Sequence, residues 1–247
     1  MLLMRKKVSK KRKLAVFDID GTIFRSSLLI ELVNGLVEDG VFPKKAKKEM
    51  EADYLAWLNR IGHYNTYIMQ VVDIHKKYIK GCSQKKVHET AKRVIDWHKD
   101  RVYRYTRDLA KQLRREGYYL VAISGSPDYI VSMFAKYMHF DAAFGWKLEV
   151  KQGVFTGKNV NRDTVDDKAK VLREFVANAK FRVDLKNSIA VGDSEGDIPM
   201  LTSVGQPIAF NPAGTLAQYA KNKDWKIVVE RKNVIYEIND CVLRDGI

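Results

Sequence analysis

The sequence predicts an α/β protein in which a doubly wound parallel sheet is interrupted, after its first strand, by a purely helical segment. Short apolar runs without polar alternation recur along the chain, as expected for strands that are buried on both faces. After about residue 105 these runs alternate with amphipathic helices, which is typical of parallel sheets. Residues 26–105 show helical periodicity and no strand-like run, so we predict that they form a separate helical insert.

The first strand is predicted over residues 13–18, and the insert begins directly after it. Ser26 and Ser27 are suitable caps for a helix that ends near Gly40. Glycines separate the three helices that follow, which are predicted over residues 44–60, 64–79 and 83–97. The histidines of the insert lack a metal-ligand spacing, and we expect His63, His75, His88 and His98 to be structural or exposed.

Beyond the insert, strands and helices are predicted in alternation. The strands fall at residues 118–123, 188–191, 207–210 and 226–229, and a β-hairpin with a glycine turn at residues 144–156. The helices fall at residues 106–116, 129–138, 166–179, 200–204 and 213–222. The chain therefore divides into a basic N-terminal arm (1–12), a sheet-containing core (13–25 and 106–247) and the insert (26–105).

Composition limits the class of protein. The 247 residues suffice for one large core or two modest domains. Cys82 and Cys241 are the two cysteines, which disfavours a disulfide framework and favours a reducing compartment. No apolar run approaches the roughly 18 residues of a membrane span, and the N-terminus lacks the apolar core of a signal peptide. We therefore expect a cytoplasmic protein without a membrane partner, and the sequence sets no oligomeric state.

The basic run at residues 5–13, which spans most of the arm and the first residue of the core, accounts for half of the formal net charge of +14, because Lys or Arg fills seven of its nine positions. Such a run suits contact with nucleic acid or with an anionic membrane surface. It equally suits a solvated, mobile terminus that aids solubility. We favour the solvated terminus, because the run lacks the interleaved aromatic residues on which single strands stack.

Three strand ends carry the candidate chemistry. Asp18 and Asp20, followed by Gly21-Thr22, end the first strand; Ser124-Gly125 follows the second; Asp193 and Asp197 follow the strand at 188–191. One such end is typical of an ordinary helix cap, but three meet at one edge of a parallel sheet, where ligands bind. Close carboxylates repel each other unless a cation or a proton joins them, so we predict a divalent metal and an anionic substrate. A lysine of the helix at 166–179 is expected to balance the charge, and Lys168 and Lys170 are the candidates.

These motifs, in this order, resemble the four motifs of the haloacid dehalogenase superfamily. The helical insert, the hairpin at 144–156 and the segment Ile208-Ala209-Phe210-Asn211-Pro212 are similar to its phosphoserine-phosphatase-like branch. The resemblance implies a Rossmann-like core and makes the insert a helical cap that closes over the site, with a hinge near residues 23–27. It favours Lys168, because Leu172 follows that residue by four positions and Asp193 by 25.

The resemblance also implies roles for these residues. Asp18 would be the nucleophile that becomes an aspartyl-phosphate, and Asp20 the general acid and base. Mg²⁺ would bind the Asp18 carboxylate, the Asp20 backbone carbonyl and Asp193. The remaining residues would hold the substrate phosphate (Thr22, Ser124, Gly125 and Lys168) or position Lys168 or a metal-bound water (Asp197).

The expected function is that of a Mg²⁺-dependent phosphatase acting on a small phosphate monoester. Asp20 favours phosphate esters, because dehalogenating and phosphonate-cleaving members of the superfamily lack an acid there. Phosphoserine itself is disfavoured, since Ser27 stands where phosphoserine phosphatases carry a glutamate, and Glu31 is interpreted as an ordinary helix residue. The alternatives are a nucleic-acid-directed phosphatase that uses the basic arm, and a non-enzymatic interaction protein on the same scaffold.

Overall fold

The computed structural model describes residues 11–238, and residues 1–10 of the basic arm and Cys241 lie outside that range. An eight-stranded sheet forms its centre. The strands are β1 (Leu14–Phe17), β2 (Tyr119–Pro127), β3 (Ala142–Lys151), β4 (Val154–Asn161), β5 (Ile189–Gly192), β6 (Gln206–Phe210), β7 (Lys226–Arg231) and β8 (Val234–Ile238). Their spatial order is β4-β3-β2-β1-β5-β6-β7-β8, and only the two edge pairs are antiparallel. The predicted α/β class with a doubly wound, Rossmann-like parallel sheet is thus confirmed.

Ten α-helices lie among the described residues. They are α1 (Leu28–Glu38), α2 (Lys45–Leu58), α3 (Tyr64–Ile79), α4 (Gln84–His98), α5 (Arg104–Arg115), α6 (Asp128–Tyr137), α7 (Asp163–Asp166), α8 (Lys168–Asn178), α9 (Ile198–Leu201) and α10 (Gly214–Asn222). The first four form the predicted insert, and no strand occurs within it, as expected. None of these helices combines the length and the apolar character needed to cross a bilayer.

Three predicted elements differ from the structure, and two elements, α7 and β8, were not predicted. Strand β2 continues to Pro127, so Ser124 and Gly125 lie within the strand instead of after it. The helix predicted at 166–179 begins at Lys168, because Asp167 leaves the helical conformation and its side chain accepts a hydrogen bond from Lys170 N. The helix predicted at 200–204 is α9, which starts and ends earlier. Strand β8 was not predicted, although its sequence, Val-Ile-Tyr-Glu-Ile, is rich in strand-forming residues.

Alternation along β1 builds a core on each face of the sheet. Ala15 and Phe17 join one buried cluster, whereas Leu14 and Val16 join the other. The cluster of Phe17 also contains the buried faces of helices α1, α3 and α4, so the insert is continuous with that half of the core. The boundaries of the cap at residues 26 and 105 therefore stay a prediction.

The two chain segments that enter and leave the insert run side by side at the predicted hinge. Phe24 forms an antiparallel bridge with Val102, and Arg25 N donates to Arg101 O at 2.9 Å. Tyr103 N donates to Ile23 O, also at 2.9 Å. These bonds fix the start of α1 beside the end of β1, which brings the insert to the predicted catalytic edge of the sheet.

Candidate active site

The loop after β1 lies close to the end of β5. Asp18 is buried, and its backbone N–H donates to Val191 O at 3.0 Å. Gly21 has a φ of +81°, and a Cβ there would lie 2.2 Å from Asp193 Oδ2. Glycine is therefore required twice, for the left-handed conformation and for the close approach. Thr22 Oγ1 then donates to Asp193 Oδ1 at 3.0 Å.

Lys168 is the cation of the site. Its Nζ lies 2.6 Å from Asp18 Oδ1 and 2.6 Å from Asp197 Oδ1, and all three side chains are buried. The rival Lys170 instead pairs with Asp163 at 3.0 Å on the surface. Lys168 is the first residue of α8, so the break at Asp167 aims it into the site. Burial opposes its charge, but Asp18 and Asp197 outweigh burial and raise the pKa of Lys168.

Asp197 is fully occupied by hydrogen bonds. Its Oδ1 accepts from Lys168, and its Oδ2 accepts from Asp193 N at 3.1 Å, Ser194 N at 2.9 Å and Ser194 Oγ at 2.9 Å. A carboxylate with both oxygens engaged holds its neighbours in place and has little capacity left for a metal. The arrangement suits the predicted role of positioning Lys168.

Asp20 faces away from this group. Its Oδ1 accepts from Leu28 N at 2.5 Å, in the first turn of α1, and its Oδ2 accepts from Ser124 Oγ at 2.6 Å and Ser126 Oγ at 2.8 Å. The carboxylate therefore joins the first turn of the insert to the end of β2. Sequence reasoning missed Ser126, although Ser124 and Ser126 are two residues apart and point to the same side of an extended chain.

The side chains of Asp18, Asp193 and Asp197 each offer an oxygen within 4.8 Å of the others. Burial raises the pKa of Asp18 to about 7 against the opposing effect of Lys168, and Asp197 and Asp20 add to the rise. Burial, Asp18 and Asp197 likewise raise the pKa of Asp193 well above its usual value. Lys168 balances only part of the charge of these three carboxylates, and hard carboxylate oxygens suit Mg²⁺. The residues thus fit a dication between Asp18 and Asp193.

The predicted phosphate-binding residues lie around this centre, but their hydroxyls are engaged. Thr22 bonds Asp193 and Ser124 bonds Asp20, as described above. Gly125 is half-buried between Ser124 and Ser126, and a Cβ at Gly125 would meet no atom within 4 Å. The site is therefore open beside Gly125.

The insert reaches the site through the first turn of α3. Asn65 Nδ2 donates to Glu195 Oε1 at 3.2 Å, which fixes this turn against the loop after β5. Burial raises the pKa of the Tyr64 hydroxyl, and Asp20, Asp193 and Asp18 raise it further, so this hydroxyl lies in the field of the site carboxylates. Tyr64 and Asn65 were not predicted from sequence, because nothing in the sequence shows which turn of the insert meets the site.

The two positions considered for recognition of phosphoserine, Ser27 and Glu31, make contacts within the protein. Ser27 is buried and caps α1 by accepting from Leu29 N at 3.2 Å. Glu31 accepts from Ser26 Oγ at 2.9 Å and from Arg101 Nη1 at 2.8 Å, and it lies 3.5 Å from His98 Nε2. Its charge is already balanced, so it does not replace the missing glutamate.

The chain belongs to the haloacid dehalogenase-like hydrolase family, which matches residues 15–202 and so contains all four motifs. It is 27% identical over 204 residues to a phosphoserine phosphatase of Methanocaldococcus jannaschii, a match that covers 82% of this chain and 87% of the relative.

Solved structures agree with this assignment. A phospho-aspartyl intermediate analogue of phosphoserine phosphatase has a TM-score of 0.58 at 25% identity and covers 90% of this chain and 95% of its own. A Bordetella pertussis Tohama I protein of unknown function has a TM-score of 0.71 at 16% identity, over 88% of this chain and 98% of its own, which shows the fold alone. The predicted resemblance to the superfamily and to its phosphoserine-phosphatase-like branch is thus confirmed.

Proposed function

We propose that this hydrolase is a Mg²⁺-dependent phosphatase that cleaves a small phosphate monoester through an aspartyl-phosphate. The observation that carries the proposal is the buried Lys168, bonded at 2.6 Å to both Asp18 and Asp197 at the end of the parallel strands. A buried lysine so paired fixes one carboxylate oxygen of Asp18 and leaves the other for the substrate. The relatives named as phosphoserine phosphatases support the reaction class.

In the first half-reaction, Asp18 Oδ2 attacks phosphorus while Lys168 holds Oδ1. The bond from phosphorus to the ester oxygen breaks, and Asp20 gives its proton to the leaving alcohol. In the second half-reaction, Asp20 takes a proton from water, whose oxygen attacks phosphorus and releases inorganic phosphate and free Asp18. Ser124 and Ser126 hold the Asp20 carboxylate in one orientation for both steps.

Asp18 and Asp193 would hold Mg²⁺, together with the Asp20 backbone carbonyl that the family resemblance implies. The bound ion supplies positive charge that screens the approach of an anionic nucleophile to an anionic phosphate. Lys168 supplies further positive charge at Asp18 Oδ1, and Asp197 keeps that ammonium in place. Thr22, Ser124, Gly125 and Lys168 are proposed to receive the phosphate oxygens.

The substrate is proposed to differ from phosphoserine, although the relative from M. jannaschii carries that name. Ser27 is a buried helix cap, and Glu31 is paired with Arg101, so neither residue is available to meet a substrate ammonium group. The two-cysteine composition supports the cytoplasm as the place of action.

A panel of phosphate monoesters, assayed with Mg²⁺ and with EDTA, tests the proposal. We expect turnover that requires Mg²⁺, and a loss on the order of 10³-fold or more in Asp18→Asn. Lys170→Met, a change in a neighbouring surface lysine, is the matched control and retains activity. Full activity of Asp18→Asn, or equal turnover in EDTA, would contradict the mechanism.

A further inference from the structure

The insert carries an exposed apolar patch directly beside the site. We define the apolar tip as Tyr54, Leu55, Leu58, Ile61 and Tyr64, which lie at the end of α2, in the following turn and at the start of α3. Ile61 is 82% exposed, Leu58 53% and Leu55 45%. Aliphatic residues this exposed and this close together indicate a surface that meets an apolar partner.

Ring contacts make the tip continuous with the site. The centroid of Trp57 lies 6.1 Å from that of Tyr54 and 5.5 Å from that of Tyr64. Tyr64 is 39% exposed, yet its hydroxyl lies in the field of Asp18, Asp20 and Asp193. The neighbouring Asn65 is hydrogen-bonded to Glu195 in the loop after β5. A partner that binds the apolar tip is therefore held next to the carboxylates of the catalytic site.

The outer face of α2 is basic near the N-terminus of the helix and apolar near its C-terminus. Helical spacing places Lys44, Lys48, Leu55 and Leu58 along one side of the helix, and Lys47 beside them. All five are exposed, whereas Ala46 and Met50 on the opposite side are buried. Glu51 is the acid of the outer face, and Glu49, on the inner side, pairs with Lys77. The outer face is thus basic over its first half and aliphatic over its second.

This arrangement of lysines and aliphatic residues favours one kind of partner. A second copy of a chain with a net charge of +14 would be repelled, and aliphatic side chains do not stack on nucleic-acid bases. Lysines beside aliphatic residues on one helix face suit an anionic bilayer, where headgroups meet the lysines and the acyl boundary meets the apolar side chains. We propose that the apolar tip and the lysines of α2 dock this protein on an anionic lipid surface.

Docking in this way presents the active site to phosphate groups at the bilayer surface. The choice of substrate rests on the proposed function: for a phosphatase docked in this way, the substrate is a lipid that ends in a phosphate monoester. Asp18 bonds to phosphorus as the phosphorus–oxygen bond to the lipid alcohol breaks, and that alcohol takes a proton from Asp20. Water then gives a proton to Asp20 and attacks phosphorus, which releases inorganic phosphate and free Asp18. The mouth of the site contacts the bilayer, so the lipid need not leave the membrane.

Vesicle flotation of the full chain tests the docking. We expect binding to phosphatidylcholine vesicles that contain about one-third phosphatidylglycerol, and much weaker binding to pure phosphatidylcholine. The triple variant Leu55→Gln, Leu58→Gln, Ile61→Gln should bind at least tenfold more weakly, and Lys47→Gln with Lys48→Gln at least threefold. The controls are Trp97→Gln, an apolar residue of α4 that is 83% exposed, and Lys86→Gln with Lys92→Gln, two exposed lysines of α4; both should bind as the wild type does.

Two results would overturn the docking. Equal binding of the wild type to both vesicle types removes the role of anionic lipid, and undiminished binding of the triple variant removes the role of the tip. Sedimentation equilibrium gives a further test, since a dimer that the triple variant dissociates would identify a second copy as the partner.

Activity measurements separate this proposal from the proposed function. The triple variant should lose at least fivefold in hydrolysis of phosphatidic acid in vesicles and keep its hydrolysis of soluble p-nitrophenyl phosphate. Asp18→Asn should lose both activities and still bind vesicles. A wild type that binds vesicles but hydrolyses neither compound refutes the proposed function alone, and equal loss on both compounds in the triple variant refutes the lipid substrate.

Discussion

Replacing Lys168 by Met tests whether this buried cation holds the site together. The side chains are similar in length, but Met carries no charge, so Asp18 and Asp197 would remain buried without their shared partner. At an effective dielectric constant of about 20, each contact at 2.6 Å is worth about 6 kcal/mol. Desolvation of the ions offsets much of this, and removal of one partner from a buried pair costs about 3–5 kcal/mol.

The free energy of unfolding, measured by urea denaturation in EDTA at pH 7.5, should therefore fall by about 3–5 kcal/mol in Lys168→Met. The deficit should shrink as the pH is lowered, because the pKa of Asp18 is already raised to about 7 and loss of Lys168 raises it further. A carboxyl group with a raised pKa in the folded state destabilises that state at high pH and ceases to do so once it is protonated.

Lys170→Met is the matched control, two residues along the same helix. Its ion pair with Asp163 is on the surface and screened by water, so the expected loss is small and changes little between pH 5 and 7.5. A loss in Lys168→Met as small as that in Lys170→Met would refute the view that Lys168 balances the buried carboxylates.

Three further predictions concern other residues. Burial lowers the pKa of His75 to about 3 from 6.5, so the folded state stays neutral while the unfolded chain binds a proton, and the contribution of His75 to stability falls by about 2 kcal/mol from pH 7 to pH 5. In urea denaturation this appears as the difference from His75→Phe, which should gain about 2 kcal/mol relative to the wild type over this range, whereas His63→Asn should keep the pH dependence of the wild type. Ser126→Ala removes one of three donors to Asp20 and should lower kcat about tenfold with KM unchanged, so an unaltered kcat would exclude the positioning role. Gly117→Ala should cost about 1 kcal/mol because that glycine has a positive φ; Gly21→Ala should cost more, because its Cβ would also overlap Asp193, and only this variant should lower activity more than tenfold in phosphatase assays.

Much of the fold was predictable because parallel strands and helices leave strong local patterns. Leu14–Phe17 is apolar throughout because both faces of β1 are covered. Strand β8 was missed although its sequence, Val-Ile-Tyr-Glu-Ile, is rich in strand-forming residues, because it follows β7 through a short hairpin and does not continue the alternation of strands and helices on which the prediction relied. The start of α8 was misplaced because acidic residues before Lys168 suit a helix N-terminus, and only the backbone shows the break at Asp167.

The sequence predicted which types of residue form the candidate site and which strands they follow. The spacing of Asp18 and Asp20, the serine after the second buried run and the acids after the third point to one edge of the sheet. Without the family resemblance, Lys168 and Lys170 were equal candidates for the lysine that balances the carboxylates, and the resemblance favoured Lys168. The structure places Lys168 against Asp18, because the helix starts at that residue and turns Lys170 outward.

By itself, then, the sequence determined the order of the strands along the chain, the residue types at their ends and the family, because each of these is a local or linear property. The tertiary structure alone decided which partners each carboxylate has: Asp197 is saturated by Lys168 and by donors of its own loop, and Asp20 is turned toward Ser124 and Ser126. It also decided that the exposed end of α2 and the first turn of α3 lie beside the site. The contacts of Asp20 with Ser124 and Ser126, and of Asn65 with Glu195, join residues more than a hundred positions apart, so their distances depend on the packing of the whole chain.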